Sequence, residues 1–232
     1  MGVMYGVNPT WGAQTNEGRT HIATKGIVQS GLVLNLDAGV SSSYPGSGTT
    51  WTDLSGNGNT GTLTNGPTYS SSLGRGSIVF DGTNDYVSST LPALTSYTTS
   101  VWVRLRIPNT AEYQLLQTLN DGFGMSVLTN KFFTYNGSGN FGTQTVVNDV
   151  WYNWVVTSTN TPSNSTKIII NNVVDGTFTT YGAISSGAIA LAGFVSQLRY
   201  LNADIGAFTA YNRVLTAAEI QQNYNATKSR YF

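Results

Sequence analysis

The chain has 232 residues, no cysteine and 9% charged side chains, with 11 Lys and Arg against 11 Asp and Glu. Disulfides and thiolate metal sites are excluded, and the neutral balance argues against nucleic acid or an anionic membrane as main partner. The length suits one large β domain whose core needs no staples, and solubility falls to Ser, Thr, Asn and Gly because ordinary domains carry about 25% charge.

The N-terminus, MGVMYGVNPTWGAQTNEGRT, has neither a basic n-region nor an apolar h-region, so it does not read as a classical signal peptide. No apolar run approaches about 20 residues, so no membrane-spanning helix is expected. Residues 1–30 show spaced glycines, the sole His21 and no sustained alternation, and read as an N-terminal arm. Tyr5 and Trp11 would anchor it on its own sandwich or on another subunit.

Leu32, Leu34 and Leu36 alternate with Val33, Asn35 and Asp37, a strand pattern. Two loops follow by composition, Ser41 to Thr50 and Ser55 to Pro67, with Trp51 and Leu54 dipping into the core between them. Ser77 to Asp81 is a strand ending in the turn residues Gly82 to Asp85, and Tyr86 and Val87 resume it. From Thr99 to Arg106, Val101, Val103 and Leu105 share one face while Trp102, Arg104 and Arg106 share the other.

Glu112 to Gln117, Gly124 to Leu128 and Lys131 to Tyr135 read as shorter strands, and Asn136 to Phe141 as a Gly-rich turn. Trp151 to Ser158 places Tyr152, Trp154 and Val156 together. Asn171-Asn172 between two strands suits a tight hairpin, because Asn tolerates positive φ. Ala188 to Ala192 is another strand candidate.

Tyr200 to Asn212 alternates with both faces apolar, Ile205, Ala207, Thr209 and Tyr211 on one side and Gly206, Phe208 and Ala210 on the other. Thr216 with Glu219 has capping-box spacing, and Ala217, Ile220 and Tyr224 recur at helical spacing. Many short strands and one closing helix predict an all-β sandwich or barrel.

Three stretches carry a resemblance: LVLNLDAG with WTDLSGNGNTGTLTNGP, SIVFDGTNDYV, and AFTAYNRVLTAAEIQQNYNATKSRY. In this order they resemble laminin-G-like domains of the concanavalin A-like lectin/glucanase superfamily. The resemblance implies a two-sheet antiparallel jelly roll over residues 31–232, preceded by the arm. It leaves function open, because this scaffold hosts lectins, glucanases, adhesive modules and virion proteins.

Chemistry narrows the choice. Retaining glycosidases need two carboxylates about 5–5.5 Å apart, and the glucanase relatives carry a Glu-x-Asp-x-Glu cluster. Here the glutamates are Glu17, Glu112 and Glu219, none with an acidic neighbour two residues away, so the chain is expected to be no enzyme. Related modules hold a structural Ca²⁺ at the sandwich rim; Asp37 and Asp204 are the candidate oxygen ligands, along with Asp81 and Asp85 at turns, against the alternative that each makes a local hydrogen bond. For a glycan, the candidate aromatic platforms are the loop residues Tyr44, Tyr69, Tyr113 and Tyr135, since Trp102, Trp151 and Trp154 fit the core.

A charge-poor surface also suits subunit contacts, with Arg104 and Arg106 as candidate anchors. An extracellular-type surface without a secretion address fits a bacteriophage virion structural or decoration protein. The arm would attach it to other virion proteins, as a homo-oligomer, and the sandwich would adhere to host glycans. A secreted bacterial adhesion module is the alternative.

Overall fold

The structure, a computed structural model, describes residues 26–106, 113–118, 123–135, 139–159, 165–179 and 182–232. In chain order the strands are β1 (Leu32–Asp37), β2 (Thr50–Trp51), β3 (Gly61–Thr64), β4 (Thr68–Ser70), β5 (Ser77–Asp81), β6 (Tyr86–Leu91), β7 (Tyr97–Leu105), β8 (Tyr113–Thr118) and β9 (Gly124–Leu128). They continue as β10 (Lys131–Tyr135), β11 (Gly139–Thr145), β12 (Trp151–Ser158), β13 (Thr166–Ile170), β14 (Val173–Phe178), β15 (Gly187–Leu191), β16 (Gly193–Phe194), β17 (Arg199–Tyr200) and β18 (Asn202–Tyr211). A single α-helix among the described residues, α1 (Ala217–Thr227), closes the chain.

Two antiparallel sheets form a sandwich. Sheet A runs β14-β13-β12-β7-β18-β5-β4, with β1 also paired to β18; sheet B runs β11-β10-β9-β8-β15-β6-β3-β2. Strand β18 is the axis of sheet A: its C-terminal half pairs with β1, its N-terminal half with β5, and its other edge with β7. The alternation seen in β7 has its expected meaning. Val101, Val103 and Leu105 enter the core between the sheets, where they meet Leu34, Leu36, Phe80, Trp154 and Phe208. Trp102 and Arg104 stand on the outer face.

The stretch DLSGNGN, a loop by composition, is a hydrogen-bonded knot. The buried Asp53 carboxylate accepts the Asn35 and Ser55 N–H groups on one oxygen and the Asn59 N–H on the other. Asn59 and Asn57 in turn donate to the Val33 and Leu32 carbonyls. The knot satisfies backbone that β1 leaves open at this edge, as buried polar groups require.

Local turn and cap chemistry fell where the sequence put it. Asn171 and Asn172 both have positive φ, 50° and 67°, as a two-residue hairpin turn requires. Thr216 and Glu219 form the capping box in full. Tyr113–Thr118, Gly124–Leu128, Lys131–Tyr135 and Trp151–Ser158 match the expected strands to within a residue.

Three features differ from expectation. The register of β18 slips between Ile205 and Ala207, so Ile205 joins Phe208 and Ala210 in the core while Ala207 and Tyr211 face outward. A bulge inserts one residue and flips everything before it. The Gly-rich segment expected as a turn runs into β11, and the second expected loop contains β3. The arm assigned to residues 1–30 falls largely outside the described residues, but 26–30 pack on the sandwich. Val28 is buried, its N–H donates to Asn223 at 2.8 Å, and Gln222 donates to the Gly26 carbonyl.

Candidate functional site

The outer face of sheet A is largely closed by the C-terminal segment. Tyr211, Leu215 and Ile220 cover Val155 and Ile169. Further along, Tyr231 and Tyr224 stack on Trp102, with ring centroids 4.2 and 5.6 Å away. What stays open is a groove of about 250 Å³ between the start of α1 and strands β12 to β14. The exposed Phe232 ring sits edge-on to Trp102 on this face, and the edge of sheet B carries two more exposed rings, Tyr135 and Phe141.

The two carboxylates expected to hold calcium, Asp37 and Asp204, have arginine partners. Both Asp37 oxygens face the Arg230 guanidinium at 2.7 Å. Asp204 is fully buried within β18, not at a strand end, and its Oδ2 takes Arg104 at 2.8 Å and Arg106 at 2.5 Å. A guanidinium beside each carboxylate supplies the positive charge a cation would bring. Asp81 and Asp85 serve their own turn: Thr83 N–H donates to Asp81, and Asp81 N–H donates to Asp85. Burial raises the pKa of Asp85. Among the described residues no three Asp, Glu, His or Cys side chains gather as a metal site would require.

The four candidate tyrosines do not converge. Tyr44 is a core residue, not an exposed platform: 3% exposed, it donates its hydroxyl to the Gly48 carbonyl and packs against Tyr69 at 5.4 Å. A loop rich in Ser and Gly looks exposed by composition, yet a ring as large as Tyr44 is worth burying. Tyr69 is half-buried against the same core. Tyr113 lies in β8 with its side chain outside the described set. Tyr135 is 43% exposed at the end of β10.

Around Tyr135 the strands assemble an aromatic ledge. Lys131, Phe133 and Tyr135 alternate along β10, while Phe132 and Thr134 turn inward and are fully buried. Phe133 is paired in register with Phe141 of β11, and their rings lie 4.7 Å apart at 49°. Tyr135 pairs with Gly139, whose missing side chain is needed: a Cβ there would meet the Phe133 ring at 2.7 Å. Phe141 is 44% exposed, so two open rings, Tyr135 and Phe141, stand at diagonal positions of the paired strands, with the buried Phe133 packed against Phe141.

A polar strip continues from the rings. Lys131 Nζ donates to the Thr143 carbonyl and to the Thr145 hydroxyl. The Asp175 carboxylate of β14 accepts the Thr143 hydroxyl and the Gln144 N–H, fastening the edge of sheet B to that of sheet A. Phe141 was not among the expected site residues, because NGSGNF reads as a turn. The ring, threonines and polar residues of FGTQT were the available signal.

Carboxylates, by contrast, are all engaged among the described residues. Asp149 pairs with Arg104, Glu219 with Arg213, and Asp53 with backbone N–H groups. Glu17 and Glu112, two of the glutamates considered for catalysis, lie outside the described residues.

A search of curated protein sequences finds no match. The fold is similar to the receptor-binding domain of botulinum neurotoxin type G, at TM-score 0.63 and 17% identity, over 84% of this chain and 51% of that one. It is similar to the binding domain of a Paraclostridial mosquitocidal protein, at TM-score 0.66 and 16% identity, over 85% of this chain and 52% of that one. The chain thus spans about half the length of these binding domains. It also matches domain 4 of an extracellular arabinanase from Geobacillus stearothermophilus, solved with arabinotriose, at TM-score 0.61 and 16% identity, over 84% of this chain and 98% of that one. Identities this low speak for the fold alone. A family profile of the laminin-G type matches residues 81–221, more than half of the sequence, and the chain therefore belongs to the concanavalin A-like lectin/glucanases superfamily.

Proposed function

We propose that the domain is a non-enzymatic, lectin-like adhesion module that holds a glycan on the Tyr135–Phe141 ledge. The observation that carries this reading is the pair of rings, 43% and 44% exposed, at diagonal positions on paired strands. A sugar ring has an apolar face and a polar rim. The aromatic rings accept the first, and the threonines and ammonium of the adjoining strip accept the second. Engagement of the described carboxylates in ion pairs and turns supports the non-enzymatic part. The similar arabinanase domain, solved with arabinotriose, lends support as a fold that carries a sugar.

The setting proposed is the surface of a bacteriophage particle, with the segment before the sandwich attaching the domain to other virion proteins as a homo-oligomer. What supports it is composition: 9% charged residues and no cysteine. A secreted bacterial adhesion module is the alternative setting, and the genes beside this one separate the two. Removing residues 1–25, which leaves the packed Val28 in place, should abolish incorporation into particles. Normal incorporation of the truncated protein ends the attachment role.

The binding claim is tested on a glycan array with the wild type, Tyr135→Ala and Phe141→Ala. Each variant should lose roughly tenfold in affinity, since one stacked ring is worth about 1 kcal/mol or more. Melting temperatures should hardly change, because the rings are exposed. Full retention of binding in the double variant would remove the ledge from consideration.

A further inference from the structure

The groove on sheet A lies across the β11–β14 seam from the ledge, and its walls have a chemistry of their own. Its floor is apolar, made by Ile169, Leu215 and Ile220. Thr157 stands in the wall only 4% exposed, and its hydroxyl makes no hydrogen bond among the described residues. In a wall this closed a hydroxyl gains from a polar partner, and the groove is the side from which one can reach it.

Two further features fix the sign of that group. Lys167 is the sole charged residue of the lining, and no carboxylate pairs with it among the described residues. Ala217, the first residue of α1, also lines the groove. The capping box satisfies the N–H of Glu219 through Thr216, but the N–H groups of Ala217 and Ala218 have no partner within the helix. Glu219, the acid nearest this helix end, is neutralised by Arg213 at 2.7 and 2.9 Å. The groove is therefore a small apolar cleft with a positive mouth.

We propose that this groove is a second ligand site, for a sugar ring that carries a carboxylate. The apolar ring face would lie on Ile169, Leu215 and Ile220, a ring hydroxyl would satisfy Thr157, and the carboxylate would meet Lys167 and the first turn of α1. The proposal rests on the reading of the domain as a glycan binder, but it uses a site separate from the ledge.

The test is titration of the full chain with glucuronate, N-acetylneuraminate, glucose and galactose, followed by amide chemical shifts. The two acids should bind and perturb residues around Thr157 and Ala217, and the neutral sugars should bind at least tenfold more weakly. Lys167→Gln should cost the acids about tenfold, and Thr157→Val should weaken all ring binding in the groove. Tyr135→Ala should leave the acid shifts around Thr157 and Ala217 unchanged while weakening ledge binding, so failure of one site is distinguishable from failure of the other. Equal binding of acidic and neutral sugars, an unchanged titration in Lys167→Gln, or shifts confined to the ledge would each overturn the proposal. Occupancy of the groove by an apolar peptide in preference to the acids would do the same.

Discussion

Asp37 and Arg230 are 193 residues apart in the chain and meet with both oxygens on both terminal nitrogens, at 2.7 Å each. The pair ties the end of β1 to the last turn of the chain. Gly39 makes room for it, since a Cβ there would sit 2.1 Å from the guanidinium. Both side chains are more than four-fifths buried, at 14% and 16% exposure. Breaking a buried pair from one side strands the other charge. Asp37→Asn should therefore cost about 2–3 kcal/mol in urea unfolding. Because the carboxylate already has its counter-charge, chelator and added Ca²⁺ should leave the melting temperature of the wild type unmoved; a ligand of the native state would raise it.

Tyr231 explains the shape of the strand beneath it. Its ring stacks 4.2 Å from Trp102 and 4.7 Å from Trp151, over the bare backbone of Gly206 and Gly74. Its hydroxyl is buried without a hydrogen-bond partner, and burial pushes the phenol pKa well above its usual range. Tyr231→Phe should thus be neutral or raise stability by up to about 1 kcal/mol, whereas Tyr231→Ala should cost about 3–5 kcal/mol. Thermal unfolding, read by tryptophan fluorescence, measures both. A larger loss for Tyr231→Phe than for Tyr231→Ala would contradict this packing account.

That same contact marks where sequence reading ran out. In β7 each side chain announces its face, and the alternation of Val101, Trp102, Val103 and Arg104 is realised directly. Local signals also suffice for Asn171-Asn172 and for Thr216 with Glu219, since both act over a few residues. The slip in β18 is different. Gly206 has no side chain to declare a face, and the ring that fills the space it leaves belongs to Tyr231. The surroundings of Asp37, Asp204 and Tyr44 are hidden from the sequence for a related reason: they come from arginines or a core that composition does not connect to them. Tyr135 was legible as an exposed ring. Its neighbour Phe141 was not, because β11 gains its partner strand only through register with Phe133.

Two titrations bracket the stable range. Hydrogen bonds from Arg213, and then from the Thr216 backbone, lower the Glu219 pKa from 4.5 to about 2. A depressed folded-state pKa gives stabilisation that is complete above the unfolded value and lost as pH falls through the folded one. Melting temperature should accordingly decline between about pH 4.5 and 2, as the start of α1 loosens. At the other end, burial pushes Tyr211 up from 10.0 to about 12. A raised folded-state pKa gives stabilisation present below pH 10 and lost as pH climbs toward 12. Glu219→Gln should flatten part of the acid limb, with added salt weakening the effect because the pair is partly exposed. An acid limb identical in Glu219→Gln would assign the loss elsewhere.

The last prediction concerns Arg104 of β7 and Arg106 just after it. Arg104 and Arg106 share one oxygen of Asp204, a side chain with no exposure, while Asp149 takes the other terminal nitrogen of Arg104 and Asn202 accepts from Nε of Arg106. The second Asp204 oxygen has no hydrogen bond. An acid in that position is costly to desolvate, and the two guanidinium groups are what make it tolerable. Asp204→Asn should therefore destabilise by about 3–5 kcal/mol, since it leaves Arg106 without its counter-charge and Arg104 with the exposed Asp149 alone. Replacing the set together, as Asp204→Leu with Arg104→Met and Arg106→Met, should restore most of that loss, because apolar packing substitutes for a buried ion cluster at little net cost. Urea unfolding of the single and triple variants decides it. If the triple variant is no more stable than Asp204→Asn, the arginines contribute through something other than the Asp204 charge, and interface contacts by Arg104 and Arg106 become the better account of why the strand carries them.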